Sequence, residues 1–185
     1  MPLKNLPLLL RKNKLKKNYL FDNQEFDSQE EIEYYCWLKE AQGLGIVEHY
    51  IYHPASFVLS ERKSRTITKQ LKTKTKEVDQ FLLHSHSYTA DFKIKFTDKI
   101  NEFKHKLVII NNIAYIDVKG TFVGKYNTSG VTFPLNQKWL YDKYNVFVNK
   151  LIPKKHFKDT FVPKAILLGK NGKPLKKWLN YPIIG

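Results

Sequence analysis

Two segments of the chain alternate between apolar and polar residues with a period of two, which predicts two β-strands. In "SYTADFKIKF" the apolar and aromatic residues fall on one face, and Asp91 falls on the other. In "YIDVKGTF" the same spacing places Asp117 and Lys119 on one face. Asp is disfavoured in strands. Two carboxylates in predicted strands of a lysine-rich chain therefore indicate either a binding partner or a functional role.

A capped helix precedes both strands, in "FDSQEEIEYYCWLKEAQGLG". Ser28 and, three residues later, Glu31 form the pattern of a capping box. Apolar residues follow at helical spacing, and Gly43 and Gly45 end the pattern. The sequence predicts a helix from about residue 28 to residue 42, with Glu31 near its start.

The other segments predict a chain of strands and helices in mixed order. "IVEHYIYHPASFVLSE" predicts one or two strands, and the run through "FLLHSHSYTADFKIKF" predicts one strand. "FPLNQKWLYDKYNVFV" predicts a helix that opens with Pro134 and carries Lys138. "FVPKAILLGKNGKPLKKWL" predicts two strands joined by an Asn171-Gly172 turn. Without an internal repeat or a linker, residues 1–185 are predicted to form a single α/β domain.

The charge of the chain points to a polyanionic partner. The formal net charge is +15, from 32 basic and 17 acidic residues. Nucleic acid fits such a surplus. An anionic membrane surface would fit it too, but no long basic amphipathic helix is evident, so no membrane partner is expected. Cys36 is the only cysteine. A single cysteine excludes an internal disulfide, and with no apolar run long enough to span a bilayer the expected location is cytoplasmic.

Three segments are predicted to be additions to the domain: a basic N-terminal arm at about 1–21, a basic insertion at about 60–79 and a C-terminal extension at about 150–185. The arm is either a solvated tail or a contact for phosphates. The stretch "RKSRTITKQLKTKTK" within the insertion is either a flexible loop or an extended hairpin, and either a solvated surface or a nucleic-acid contact. Its basic residues, all candidates for that contact, are Arg62, Lys63, Arg65, Lys69, Lys72, Lys74 and Lys76.

Two carboxylates and a lysine on neighbouring strands suit a divalent metal ion. Asp91 and Asp117 would be ligands, the Val118 carbonyl would be a possible third, and Glu31 would complete the acidic cluster through a metal-bound water. Lys119 would either orient a bound water or stabilise the charge that develops at phosphorus. On pattern alone, however, the simpler interpretation of Asp117 and Lys119 is an exposed pair on a strand.

The order of these motifs resembles the PD-(D/E)xK nuclease superfamily, and within it a phage group of Holliday-junction-resolvase-like endonucleases. The resemblance rests on "FDSQEEIEYYCWL", "HPASFVL", "YTADF" and "DVKG", and spans roughly residues 19–145. The proline in the superfamily's name is absent beside Asp91, where Ala90 stands instead. The phage group also lacks this proline.

The resemblance implies a restriction-endonuclease-like core, with a central mixed sheet flanked by helices. It implies that Glu31, Asp91 and Asp117 bind Mg²⁺ or Mn²⁺, that Lys119 is the catalytic lysine, and that Lys138 contacts a phosphate. The expected activity is metal-dependent hydrolysis of DNA by a phage-type junction resolvase, in the host cytoplasm if a phage encodes the chain.

The expected substrate is branched or duplex DNA, and a homodimer would suit cutting of two strands. A non-catalytic nucleic-acid-binding protein that keeps the fold, or a structural basic protein, is the alternative.

Overall fold

The computed structural model describes residues 19–121, 128–169 and 172–184 of the protein. The strands are β1 (Tyr19–Phe21), β2 (Gln24–Phe26), β3 (Val47–Tyr52), β4 (Phe57–Ser60), β5 (Lys63–Gln70), β6 (Thr75–Leu83), β7 (His86–Tyr88), β8 (Phe92–Phe96), β9 (Ile113–Val118) and β10 (Val148–Leu151). The helices are α1 (Gln29–Gly43), α2 (Thr128–Tyr144), α3 (Pro153–Asp159) and α4 (Lys164–Leu167). The predicted N-terminal arm lies outside the described residues up to residue 18, and its last three residues form β1.

A four-stranded mixed sheet, in the order β10-β9-β8-β3, organises the domain. Strand β8 runs antiparallel to both β3 and β9, whereas β10 runs parallel to β9. The predicted α/β class and its central mixed sheet with helices are therefore confirmed. The carboxylate-bearing segments lie at its centre, because β8 and β9 are the two inner strands.

The main hydrophobic core joins α1 to one face of this sheet. Helix α1 contributes the fully buried Trp37 and Leu38, and the inner strands contribute Phe92, Ile94 and Ile116. Their alternate spacing in β8 and β9 is the period-two pattern that predicted the strands. A second, smaller cluster includes Leu59, Phe133, Leu140 and Val148, and packs α2 against β4 and β10.

Three predicted elements differ from the structure. The run predicted as one strand through residue 96 is three strands, β6, β7 and β8, which pair with different partners. Helix α2 begins at Thr128, so that Pro134 lies inside it. The first of the two strands predicted after Phe161 is the short helix α4, and a single bridge joins Leu168 to Pro174. A short apolar run does not distinguish a helix from a strand, and local alternation does not show which strands will pair.

The basic insertion is an antiparallel hairpin, so of the two predicted conformations the hairpin is the right one. Strands β5 and β6 form a separate two-stranded sheet. Most residues of the hairpin are exposed. In the part of the chain that the structure describes, no helix is long and apolar enough to cross a bilayer.

The segment after residue 150 contributes directly to the main core. Trp178 has no exposed surface, packs with Phe157, and donates a 3.1 Å hydrogen bond from its indole N–H to the Ile166 carbonyl. The predicted C-terminal extension thus closes one side of the core around α1.

Replacing Trp178 with alanine should lower the free energy of unfolding by about 3–5 kcal/mol, because a large buried side chain and a hydrogen bond are lost. Leu179→Ala, at the neighbouring and largely exposed position, should change it by less than about 0.5 kcal/mol. Urea unfolding monitored by circular dichroism measures both values. Equal effects of the two substitutions would contradict a core role for the segment.

Candidate active site

The first turn of α1 fixes the carboxylate of Glu31. Ser28 is the N-cap: its hydroxyl oxygen accepts a 3.2 Å hydrogen bond from the Glu31 amide. The same hydroxyl donates to Glu31 Oε1 at 2.7 Å. The predicted pairing of cap and acid is confirmed, and it holds Glu31 at the positive end of the helix dipole.

Two further donors bind the other oxygen of Glu31. Tyr52 donates its hydroxyl hydrogen to Oε2 at 2.7 Å, and the Asp27 amide donates to it at 3.1 Å. A carboxylate offers about four acceptor positions. Three of them are occupied, so the buried Glu31 keeps roughly one for a ligand that is not part of the fold.

Asp91 lies directly before β8 and faces the end of β9. Its Oδ2 accepts a 2.6 Å hydrogen bond from the Val118 amide. The register pairs Phe92 with Ile116, so one further step places Asp91 opposite Asp117. The register of β8 and β9 thus brings the two predicted carboxylates to opposite positions, one directly before β8 and one on β9.

Asp117 is buried and held from two sides. Tyr88 donates its hydroxyl hydrogen to Oδ2 at 2.6 Å. The Lys119 ammonium forms an ion pair with Oδ1. Among the described residues, the Lys119 ammonium is the partner seen for this buried oxygen. Asp117 and Lys119 are therefore a partly buried pair, not the exposed pair that the pattern alone favoured.

The electrostatics of Asp91 show that the four predicted side chains act on one another. Burial, and after it the negative charges of Asp117 and Glu31, together raise the pKa of Asp91 to about 8. The Val118 amide and the Lys119 ammonium oppose the rise. The site therefore carries more negative charge than its own lysine compensates.

A glycine follows Lys119 because Glu30 approaches the backbone there. A Cβ atom at Gly120 would lie 3.0 Å from Glu30 Oε1. The close approach brings a further carboxylate of the first α1 turn next to the end of β9.

Glu31 also belongs to a second group of possible ligands, which the sequence did not reveal. One ligand atom each of Asp27, Glu31 and His53 lies within 4.8 Å of the other two. Among the described residues no other such group meets that spacing, so Glu31, Asp91 and Asp117 are more widely spread. Asp27 stands inside the motif "FDSQEE", but nothing local indicated that His53 would fold against it.

The remaining predicted site residues lie elsewhere. Lys138 is exposed on α2 and lines a cavity of about 890 Å³ together with Val108, Ile110 and Trp139. The seven basic residues from Arg62 to Lys76 lie on or next to the hairpin β5–β6. The Val118 amide is engaged by Asp91, and a role of its carbonyl as a ligand stays a prediction.

The arrangement defines a class of site: clustered buried carboxylates with one lysine, at the end of two central strands and the start of a helix. Comparisons of the chain with models of protein families, with curated proteins and with solved structures find no match.

Replacing Asp91 with asparagine should stabilise the protein in metal-free buffer above pH 8 more than at pH 5. The folded pKa of about 8 lies above the unfolded value of roughly 4, so the folded carboxyl keeps a proton that the unfolded chain releases. Wild-type stability should fall as the pH rises through this window, by at least about 1.4 kcal/mol relative to the variant.

Urea unfolding with a chelator from pH 5 to pH 9 measures this difference. Asp142→Asn, at an exposed carboxylate of α2, is the matched control and should show no such trend. Parallel stability profiles of Asp91→Asn and the wild type would contradict the repulsion between the buried carboxylates.

Proposed function

We propose that the protein is a metal-dependent DNA endonuclease that hydrolyses phosphodiester bonds, with Mg²⁺ or Mn²⁺ as cofactor, and that it acts on branched DNA as a Holliday junction resolvase. The observation that carries the proposal is that Asp117, Glu31 and Lys119 all act on the charge of Asp91, at the ends of the two inner strands and the start of α1. The excess negative charge there has few compensating partners in the protein, whereas the chain as a whole is strongly basic.

The residues present fit a divalent cation. Asp117 Oδ1 is a buried carboxylate oxygen whose partner among the described residues is the Lys119 ammonium, and burial together with the acidic neighbours raises the pKa of Asp91. Mg²⁺ prefers oxygen ligands of this kind. Asp91 and Asp117 would hold the ion, with the Val118 carbonyl as a further candidate. Glu31 would reach the ion through a bound water, because the three carboxylates do not all lie within 4.8 Å of one another. Such an ion polarises a phosphoryl oxygen and makes a bound water more acidic.

Lys119 would contribute a fixed positive charge. Its side chain is about one-quarter exposed while that of Asp117 is nearly buried, so the ammonium lies at the boundary between the carboxylates and solvent. From that position it is able to approach a phosphate and stabilise the negative charge that develops in hydrolysis. Tyr88 fixes the orientation of Asp117 through its 2.6 Å hydrogen bond, and so acts as a positioning residue.

The net charge of +15 supports DNA as the substrate. A cluster of carboxylates repels phosphates, so a nuclease of this kind needs basic surface around the site to bring the backbone close. The preference for branched DNA rests on the family resemblance.

One observation favours the alternative, a non-catalytic nucleic-acid-binding or structural protein. Both oxygens of Glu31 are engaged in hydrogen bonds that stabilise the start of α1, which is a structural role sufficient to explain a buried glutamate. A protein of that type would bind DNA in a salt-sensitive manner and cleave it in no divalent metal.

Asp117→Asn should abolish cleavage of a four-way junction while leaving DNA binding unchanged or tighter, because a carboxylate that repels phosphate is removed. Cleavage is measured on the junction, a linear duplex and a single strand of matched sequence, each with and without Mg²⁺ or Mn²⁺. Asp142→Asn serves again as the control and should cut like the wild type. Wild-type cleavage by Asp117→Asn would refute the site, and cutting of none of the substrates by the wild type would favour the alternative.

Mg²⁺ or Mn²⁺ at ten times its dissociation constant should stabilise the wild type by about 1.4 kcal/mol, which corresponds to a rise of roughly 3–5 °C in melting temperature. Asp91→Asn and Asp117→Asn should both lose this rise, because they remove ligands.

Asp27→Asn distinguishes the two groups that share Glu31. It should keep the rise in melting temperature if the ion lies between Asp91 and Asp117. Loss of the rise in Asp27→Asn together with its retention in Asp91→Asn would place the ion beside His53 instead.

A further inference from the structure

The hairpin β5–β6 is a ribbon whose two faces carry opposite charge. The register pairs Arg65 with Gln80, Ile67 with Val78, and Lys69 with Lys76. Directly paired residues of antiparallel strands share a face. This first face, here named the basic face, carries three positive charges and no acid.

The opposite face, here named the acidic face, carries the intervening residues. The register pairs Thr66 with Asp79 and Thr68 with Glu77 there. The paired residues of this face carry two negative charges and no positive one, and Arg62, directly before β5, lies 5.5 Å from the ring of Phe81 at the base of the ribbon. The segregation is not visible in the sequence run from 62 to 76, because both acids lie on the returning strand.

Cross-strand contacts fix the side chains on both faces. Arg65 donates from Nε to Gln80 Oε1 at 2.9 Å, and Thr66 donates its hydroxyl hydrogen to Asp79 Oδ1 at 3.1 Å. Ile67 and Val78 are half-buried at the middle of the basic face. The basic face is thus a short apolar centre flanked by charges, on a ribbon that is otherwise exposed.

The ribbon is anchored next to the candidate active site. Its strands continue into β4 and β7, which pair with each other. Strand β7 ends with Tyr88, the residue that holds Asp117. The β4 carbonyl of Val58 accepts hydrogen bonds from Lys143 and Tyr144 of α2, each at 2.7 Å. The base of the ribbon is therefore tied both to α2 and to the carboxylate cluster.

We propose that the basic face of this ribbon enters the major groove of duplex DNA beside the cleavage site, with the acidic face turned away from the DNA. The inference rests on the proposed function for the identity of the nucleic acid.

The dimensions fit this partner. Eight residues of strand span roughly 26 Å, somewhat less than one turn of B-form DNA. The major groove of DNA, about 12 Å wide, admits a two-stranded β-ribbon, whereas the deep and narrow major groove of A-form RNA does not. The positive charges of Arg65, Lys69 and Lys76 would meet phosphates along the groove, and Ile67 and Val78 would face base edges such as thymine methyl groups.

A triple variant of the basic face, Arg65→Gln, Lys69→Gln and Lys76→Gln, tests the contact. It should bind a 24-base-pair duplex at least about 10-fold more weakly, and the slope of log affinity against log salt should fall by about 2–3 in magnitude. Fluorescence anisotropy of the full chain in a chelator measures binding without cleavage. The matched control neutralises three exposed lysines of other elements, Lys104→Gln, Lys106→Gln and Lys164→Gln, and should lose less than about 3-fold.

A second variant tests whether DNA binding depends on which face carries the positive charge or only on the net charge of the ribbon. Thr66→Lys, Thr68→Lys and Gln70→Lys, added to the basic-face triple, restore the net charge on the acidic face of the same ribbon. Binding should stay weak. Recovery of wild-type affinity, or a loss in the basic-face triple no larger than in the lysine control, would overturn the inference. So would an equal loss of affinity for an RNA duplex of the same sequence.

The ribbon and the active site can fail separately. If Asp117→Asn is inactive but the basic-face triple binds DNA like the wild type, only the groove contact is wrong. If the basic-face triple loses DNA binding but Asp117→Asn still cuts, only the catalytic assignment is wrong.

Discussion

The site depends on placing two carboxylates opposite each other at the ends of the two inner strands of the sheet. Asp91 lies directly before β8 and opposite Asp117 of β9, and burial together with the negative charge of Asp117 makes the ionised form of Asp91 costly. The surrounding fold supplies what compensation there is: the Val118 amide binds Asp91, and Tyr88 and Lys119 bind Asp117. The register of β8 and β9 and the position of Tyr88 on β7 therefore both determine how Asp91 and Asp117 are placed.

The sequence predicted those parts of the fold that depend on neighbours along the chain. The capped helix was predictable because Ser28 and Glu31 bind each other within one turn. The buried faces of β8 and β9 were predictable because strand alternation is a local property of the backbone, as Phe92, Ile94 and Ile116 show. Since both carboxylates occupy fixed places in these local patterns, their adjacency followed once the two strands were assumed to pair.

The rest depended on contacts between distant segments, which local patterns do not encode. Nothing in the sequence around Tyr88 and Tyr52 indicates that their hydroxyls bind Asp117 and Glu31 in the folded protein. The run before residue 96 looked continuous because its alternation persists while its pairing partner changes twice. The charge segregation of the ribbon likewise required the register that sets Asp79 opposite Thr66.

The site gathers several buried carboxylates in one place, unlike the aromatic core, and that contrast supports the proposed function. Aromatic side chains such as Trp37 and Trp178 are fully buried and stabilise a core, whereas the clustered acids destabilise the same fold whenever their charge is uncompensated. The chain has 32 basic residues, yet among the described residues the ion pair seen at this site is the one between Lys119 and Asp117. Uncompensated negative charge inside the protein lowers its free energy of unfolding. Under the proposed function this charge has a role, because it would bind a divalent cation that in turn binds a phosphate.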